Sequence, residues 1–278
     1  IRTAILAHAL AGVNTRLVGQ LHMNMQGFLK SKSFLTRWMR LAPMRWLFPS
    51  LDKIIGVSQG VVEDTLEITG MPRDRVIAIC NPVITPELAV MAQAEVTHPW
   101  FQEDRPIVLG AGRLTPEKDF PTLIRAFAKL RAQRPARLVI LGEGPLEASL
   151  RALTRTLGIE ADVDFPGFTA NPFAYMQKAA LFVMSSAWEG SGNVLVEALA
   201  LGTPSVSTDC PFGPRETLAD GRYGALVPVG DDGALAKVMA ETLDNPLPPE
   251  TLKAGVQAFE IGFSARRYLQ VLFDEKAP

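Results

Sequence analysis

The sequence predicts a doubly wound α/β protein built on parallel sheets, with a Rossmann-like domain at its centre. Three observations carry that expectation. From residue 107 onward, short apolar runs rich in β-branched residues alternate strictly with helical patterns. Prolines or Asp/Asn open several of the helical stretches and glycines close several of them. The chain of 278 residues, 47% hydrophobic and 21% charged, is long enough to bury one large core or two modest ones. Strands and helices in strict alternation form right-handed βαβ units, which put helices on both faces of a parallel sheet.

Along the chain, IRTAILAHALAGV carries a helical pattern around His8 and resembles a signal peptide only superficially. TRLVGQLHM and LDKIIGVS then read as two buried strands of a first domain, residues 1–84. Residues 85–105 hold Pro86 and Pro99 and show no clear period, so they read as a linker. The second domain, residues 106–246, contains the strand-like runs IVLGAG, RLVILG, ADVDFPG, ALFVMSS, TPSVST and GALVPV. Between and after them lie the helical patterns DFPTLIRAFAKLRAQ, PLEASLRALTRTLG, NPFAYMQKA, GNVLVEALALG, GPRETLAD and DDGALAKVMAETL. Residues 247–278 read as one or two closing helices.

A formal net charge of −1 argues against a nucleic-acid binder that works through a basic surface. Cys80 and Cys210 stand far apart, outside any metal-ligand or CxxC spacing, which fits a reducing compartment and buried, apolar roles. No apolar run reaches the length of a membrane span. Residues 28–48, FLKSKSFLTRWMRLAPMRWLF, are the local exception in charge. They carry Lys30, Lys32, Arg37, Arg40 and Arg45 with no acidic residue, interleaved with Phe28, Phe34, Trp38, Trp46 and Phe48. A basic amphipathic segment with interfacial aromatics suits an anionic bilayer surface. A helix that buries its aromatics and solvates its cations is the competing reading.

In doubly wound sheets, ligands sit where strand C-termini meet helix N-termini. Three such junctions carry polar or glycine-rich chemistry. In GAGRLTPEKDF, Arg113 and Lys118 follow a strand end, and two cations beside a helix N-terminus would repel unless an anion such as a diphosphate lay between them. Solvated loop cations would look the same in sequence. In LGEGPLEASL, Gly142 and Gly144 let backbone approach a ligand closely or simply permit a tight turn. In SSAWEGSGNVLVEALALG, Glu189 lies on a loop and Glu197 in the second turn of a helix starting near Gly192 or Asn193. Gly190, Ser191 and Gly192 leave bare amides between the two acids. Either glutamate alone is equally at home as an acid stabilising a helix N-terminus.

Taken together these stretches resemble the GT-B-fold glycosyltransferases of glycosyltransferase family 4, retaining enzymes that use nucleotide sugars. The resemblance runs from TRLVGQLHM through DKIIGVSQGV, ICNPV, GAGRLTPEKDFPTLIRAF, LVILGEGP, PGFTANPFAYM and SSAWEGSGNVLVEALALGTPSVSTDCPFGPRE to YGALVPVGD. EGSGNVLVE matches the family's E-x7-E motif. The resemblance implies that Arg113 and Lys118 hold the donor diphosphate as it departs, and that Glu189 contacts hydroxyls of the transferred sugar. It implies that Ser191, Gly192 and Asn193 present amides near the sugar and diphosphate, and that Glu197 hydrogen-bonds the ribose. Gly142 and Phe168 fall in segments that border ribose and base. His22 matches a histidine on the acceptor side of the cleft, which orients the donor sugar or shuttles a proton.

The mechanism so implied is retaining transfer, with the leaving phosphate accepting the acceptor's proton and cations plus amide dipoles meeting its charge. No metal or other cofactor is expected, and the sequence shows no DxD-like pair at a strand end. STDCPFGPRETL resembles members that build bacterial surface polysaccharides, favouring UDP-sugar over GDP-sugar and a saccharide or lipid-linked saccharide as acceptor. Placement in the cytoplasm is expected, with peripheral docking on the inner face of the membrane. One departure is large: nothing here matches the first strand and glycine-rich loop of a complete member, so the chain is expected to start at a late helix of the first domain. Two other functions remain open from sequence: a nucleotide-sugar epimerase of similar fold, and a donor-binding module without turnover.

Overall fold

The computed structural model describes residues 1–23, 25–29 and 32–273. Two parallel sheets organise them. In the first lobe, α1 (Arg2–Ala11), β1 (Val18–Leu21), α2 (Met25–Leu29), α3 (Phe34–Leu47), β2 (Lys53–Gly56), α4 (Gln59–Thr69) and β3 (Val76–Ala78) follow one another. The three strands pair in the order β1-β2-β3. β3 escapes sequence reading because three residues are too few to show a period. α4 is bounded by strong local signals: Ser58 caps it by accepting from the Val61 N–H, and Gly70 ends it in the left-handed region at φ 66°. Ile5, Met44, Phe48, Leu51, Ile54 and Val62 form the core of this lobe.

After α5 (Pro86–Ala92) the second lobe runs β4 (Ile107–Ala111), α6 (Phe120–Arg131), β5 (Arg137–Leu141), α7 (Glu147–Thr156), β6 (Val163–Gly167), α8 (Pro172–Lys178) and β7 (Leu181–Met184). It continues with α9 (Asn193–Ala200), β8 (Ser205–Thr208), α10 (Pro214–Thr217), β9 (Leu226–Val227) and α11 (Asp232–Asp244), and α12 (Pro249–Gly255) and α13 (Ile261–Phe273) close the chain. Every strand and helix expected from the alternation beyond residue 107 is present. The six strands, all parallel, lie in the order β6-β5-β4-β7-β8-β9. Their side chains divide by alternation: Val108, Leu138 and Val183 face one apolar layer, whereas Leu109, Val139 and Phe182 face the other.

Two expectations about organisation need correction. Residues 85–105 are not a bare linker: α5 packs against α8, and Trp100 and Phe101 pack on the second layer of the six-stranded sheet. His98 fixes this segment to the sheet, its Nε2 bonding Asp164 Oδ2 at 2.9 Å while Nδ1 accepts the Trp100 N–H at 3.2 Å. Such tertiary anchoring leaves no trace in a local pattern. The closing helices also divide between lobes. α12 packs on α9, but α13 crosses back, where Val271 meets Ile55 and Ile79 and Ser264 Oγ donates to the Cys80 carbonyl at 2.8 Å. Cys80 is only half-buried, against expectation, while Cys210 is buried; burial pushes their thiols up to about 11 and about 12.

Candidate functional site

Strand order reverses between β4 and β7, neighbours in the sheet although two βα units separate them in sequence. Their following connections leave on opposite sides of the sheet, so a crevice opens above their C-terminal ends. The two loops that border it are stitched together. Ser185 Oγ donates to the Lys118 carbonyl at 2.8 Å, and the Ala187 N–H donates to the Glu117 carbonyl at 2.8 Å. This fixes the loop bearing Arg113 and Lys118 against the loop bearing Glu189.

The sequence argument that the two cations need an anion between them does not hold. Each already has its own carboxylate: Arg113 pairs with Glu117 at 3.1 Å and Lys118 with Glu189 at 2.5 Å. The second pair is well buried, with side-chain exposures of 17% and 13%, so either partner alone would be an uncompensated charge in a dry site. Ser186 Oγ donates to the same Glu189 Oε1 at 2.6 Å. Glu189 Oε2 is thereby left without a protein donor among the described residues, turned to a role such as accepting from a ligand hydroxyl.

Two cavities meet at Arg113. One, of about 390 Å³, is bordered by Gly112, Arg113, Gly142, Glu143, Phe168 and Val194 among others. The other, of about 310 Å³, lies between the lobes and is lined by His22 and Phe28 from the first lobe and by Lys118, Trp188, Glu189 and Phe212 from the second. Gly142 and Phe168 therefore share one pocket, and His22, Lys118 and Glu189 share the next, with Arg113 common to both. The glycine at 142 has a different reason from close ligand approach. At φ 127°, a Cβ there would lie 2.0 Å from the Gly112 carbonyl oxygen, so it is the neighbouring strand end that demands glycine. Trp188, Phe212 and Glu117 were not singled out from sequence; only the fold shows that they face the cleft.

α9 starts at Asn193, with Gly192 before it at φ 67°, as its sequence predicts. The N–H groups of Ser191, Gly192 and Asn193 meet no acceptor among the described residues, which leaves them as the unsatisfied positive end of the helix. Asn193 also bridges the lobes, its Oδ1 accepting from Asn81 Nδ2 at 3.0 Å. Gly190 abuts the first lobe: a Cβ there would be 2.0 Å from the His22 carbonyl oxygen. Glu197 sits three residues beyond Val194 and so on the same side of α9. Burial alone pushes its carboxyl from an ordinary 4.5 up to about 7, and its side chain has no polar partner among the described residues. Among those residues no three His, Cys, Asp or Glu side chains cluster as metal ligands would.

Residues 96–258, more than half of the chain, match the model of the glycosyl transferases group 1 family. The chain belongs to that family. It is 33% identical over 199 residues to the N-acetylgalactosamine-N,N'-diacetylbacillosaminyl-diphospho-undecaprenol 4-alpha-N-acetylgalactosaminyltransferase of Campylobacter jejuni, an alignment covering 72% of this chain and 53% of that protein. It is 31% identical over 230 residues to the lipopolysaccharide core biosynthesis glycosyltransferase LpsE of Rhizobium meliloti, covering 81% of this chain and 65% of the relative. The chain thus spans between about half and two thirds of the length of these relatives. Among solved structures, Anabaena HepE in complex with UDP superposes with a TM-score of 0.80 at 20% identity, over 99% of this chain and 76% of that one. The fold is therefore that of a GT-B glycosyltransferase, and the six-stranded lobe is its Rossmann-like unit.

Glu197 gives a prediction that depends on pH. A carboxyl titrating near 7 in the folded chain and near 4.5 unfolded has no effect on stability below pH 4.5; its cost develops as pH rises and is complete above about 7. That cost is about 3 kcal/mol for a shift of this size. Glu197→Gln should therefore raise the thermal midpoint at pH 8 but not at pH 4.5. An unchanged midpoint at pH 8 would show that the acid is not desolvated.

Proposed function

We propose that this chain forms the donor site and cleft of a retaining glycosyltransferase of family 4, a hexosyltransferase that takes its sugar from a UDP-sugar. The observation that carries this reading is Glu197: a partly buried acid with no polar partner among the described residues, on the helix that lines the cavity between Phe168 and Arg113. A carboxylate kept in that state suits two ribose hydroxyls, which supply the donors it lacks. Phe168, 72% exposed at the other end, offers a face for the base. The diphosphate then falls at Arg113 and the α9 N-terminus, and the sugar in the interlobe cavity beside Glu189 and His22.

In that pose the residues act by position and charge. The bond from the sugar's anomeric carbon to the diphosphate oxygen breaks, and the acceptor hydroxyl forms the new glycosidic bond on the same face. The released phosphate oxygen takes the hydroxyl proton, so no strong protein base is required. Lys118 exchanges part of its contact with Glu189 for the departing phosphate, and Arg113, exposed at the rim, closes over it. Charge stabilisation by these cations supports turnover without a divalent metal or other cofactor. An epimerase would instead need an acid and a base flanking the sugar.

The relatives' names include an undecaprenol-linked acceptor in one case and lipopolysaccharide core synthesis in the other. By that likeness we place the acceptor among saccharides or lipid-linked saccharides of bacterial surface glycoconjugates, handled on the cytoplasmic side. No described helix is long and apolar enough to cross a membrane. α3 offers another mode of attachment. Of its aromatics and those beside it, Phe34, Trp38 and Trp46 are 83%, 56% and 76% exposed, and only Phe48 is buried. Lys32, Arg37, Arg40 and Arg45 are exposed beside them, while Lys30 lies outside the described residues. The reading in which this helix buries its aromatics does not describe the structure. We propose that the face docks on anionic lipid.

Three experiments test these proposals. Arg113→Ala or Lys118→Ala should each lower the transfer rate by about a hundredfold, the scale of losing one charge-stabilising donor. Chelator should leave wild-type turnover intact, and magnesium-dependent recovery after chelation would contradict the metal-free reading. Vesicles containing anionic lipid should co-sediment the protein, with release in ~0.5 M salt by screening. Arg37→Glu with Arg40→Glu should abolish that binding while leaving UDP affinity intact; sedimentation unaffected by both changes would reject α3 as the docking face.

A further inference from the structure

Local conformational preference is violated on both sides of one contact between the lobes. Gly60 lies in the first turn of α4, where alanine would serve the helix better by up to about 1 kcal/mol. A Cβ at that position would fall 1.6 Å from Phe212 Cδ1, and its three nearest atoms all belong to the Phe212 ring. Phe212 itself holds φ at 67°, a region that bulky side chains avoid. Two unfavourable local choices meeting at a single tertiary contact mark a place where function overrides propensity.

Further contacts stand beside it. The Gln59 N–H, at the N-terminus of α4, donates to Glu216 Oε2 of the opposite lobe at 3.0 Å, an acid set against the positive end of an 11-residue helix. Ser58 Oγ donates to the Gly190 carbonyl at 3.1 Å, one residue from Glu189. Phe212 also lines the interlobe cavity with His22, Lys118 and Glu189. One segment, residues 209–216, running from β8 into α10, therefore touches both the reacting cleft and the first turn of α4.

We propose that Phe212 and Glu216 are positioning residues for transfer, latching this segment to the first turn of α4 and so setting the separation of the lobes across the cleft. The consequence for catalysis rests on the transferase reading above; the latch itself does not. Donor contacts with base, ribose and diphosphate all lie in the second lobe, whereas the acceptor must be brought to the sugar from the first. Lobe separation accordingly controls the attack distance and leaves nucleotide binding alone.

Gly60→Ala is the decisive variant, because it favours α4 and obstructs only Phe212. In solution scattering, the chain carrying Gly60→Ala should show a larger radius of gyration than wild type, and adding Phe212→Ala should reverse the increase. UDP affinity by calorimetry should stay within about twofold. The kcat/KM for acceptor should fall about tenfold or more in Gly60→Ala, as misplacement of reactants does, and recover in the double variant. Glu216→Ala should lower the same parameter, and Glu216→Gln, which still accepts from the Gln59 N–H, should retain it. An unchanged radius, UDP affinity lost in parallel with turnover, or a double variant no better than Gly60→Ala would each overturn the latch. Compensated opening in scattering without any sugar transfer by the wild-type protein would instead leave the latch standing and sink the transferase reading.

Discussion

The lateral pairing of β4 with β7 is the constraint on which the site depends. Parallel strands exchange all their ladder hydrogen bonds with neighbours, so once Val108 and Leu109 are in register with Leu181 and Phe182, the strand ends cannot shift independently. The loops leaving these two strands are then forced side by side, and the bonds from Ser185 and Ala187 to the backbone of Lys118 and Glu117 lock them there. Residues 71 positions apart in sequence, Lys118 and Glu189, come into a buried ion pair as a result.

Charge in the cleft follows two regimes. Lys118 and Glu189 compensate each other, which allows both to lie in a poorly solvated place without unfolding it. Glu197 has no such partner, and burial pushes its carboxyl up to about 7. A structural role would have been served better by an amide or an apolar side chain of the same size. The uncompensated acid on α9 is therefore a side chain that stability explains poorly. The N–H groups of Ser191, Gly192 and Asn193 at the start of α9 likewise meet no acceptor among the described residues.

The lobes are held together by polar and steric contacts at the cleft and by α13 at the back. Gln20 Nε2 donates to Tyr268 Oη at 2.5 Å, and Arg16 donates to the Leu272 carbonyl at 3.2 Å, so the end of the chain is part of the first lobe's support. The cleft-side contacts involve glycines at 60 and 190 and a strained aromatic at 212. At the back, Val271 of α13 joins Ile55 and Ile79 in a small apolar cluster, and Ile84 bridges Glu260 where the chain crosses between the lobes.

Much of the fold was legible in the sequence, because strands buried on both faces and amphipathic helices write their periods directly into residue type. The alternation beyond residue 107, the start of α9 and the grouping of Arg113, Lys118, Glu189 and Glu197 near strand ends all rest on such local signals. What the sequence could not decide was partnership. That Arg113 and Lys118 each carry a carboxylate, that Gly142 answers to Gly112 and not to a ligand, and that Gly60 answers to Phe212 are facts about distant segments brought together by strand order. Likewise the aromatics of α3 carry the same pattern whether buried or exposed, and His98 is an ordinary loop histidine until Asp164 reaches it. Periodicity reports what one face of an element requires; only the tertiary structure decides what meets that face, since those contacts are set by the register of strands far apart in the chain.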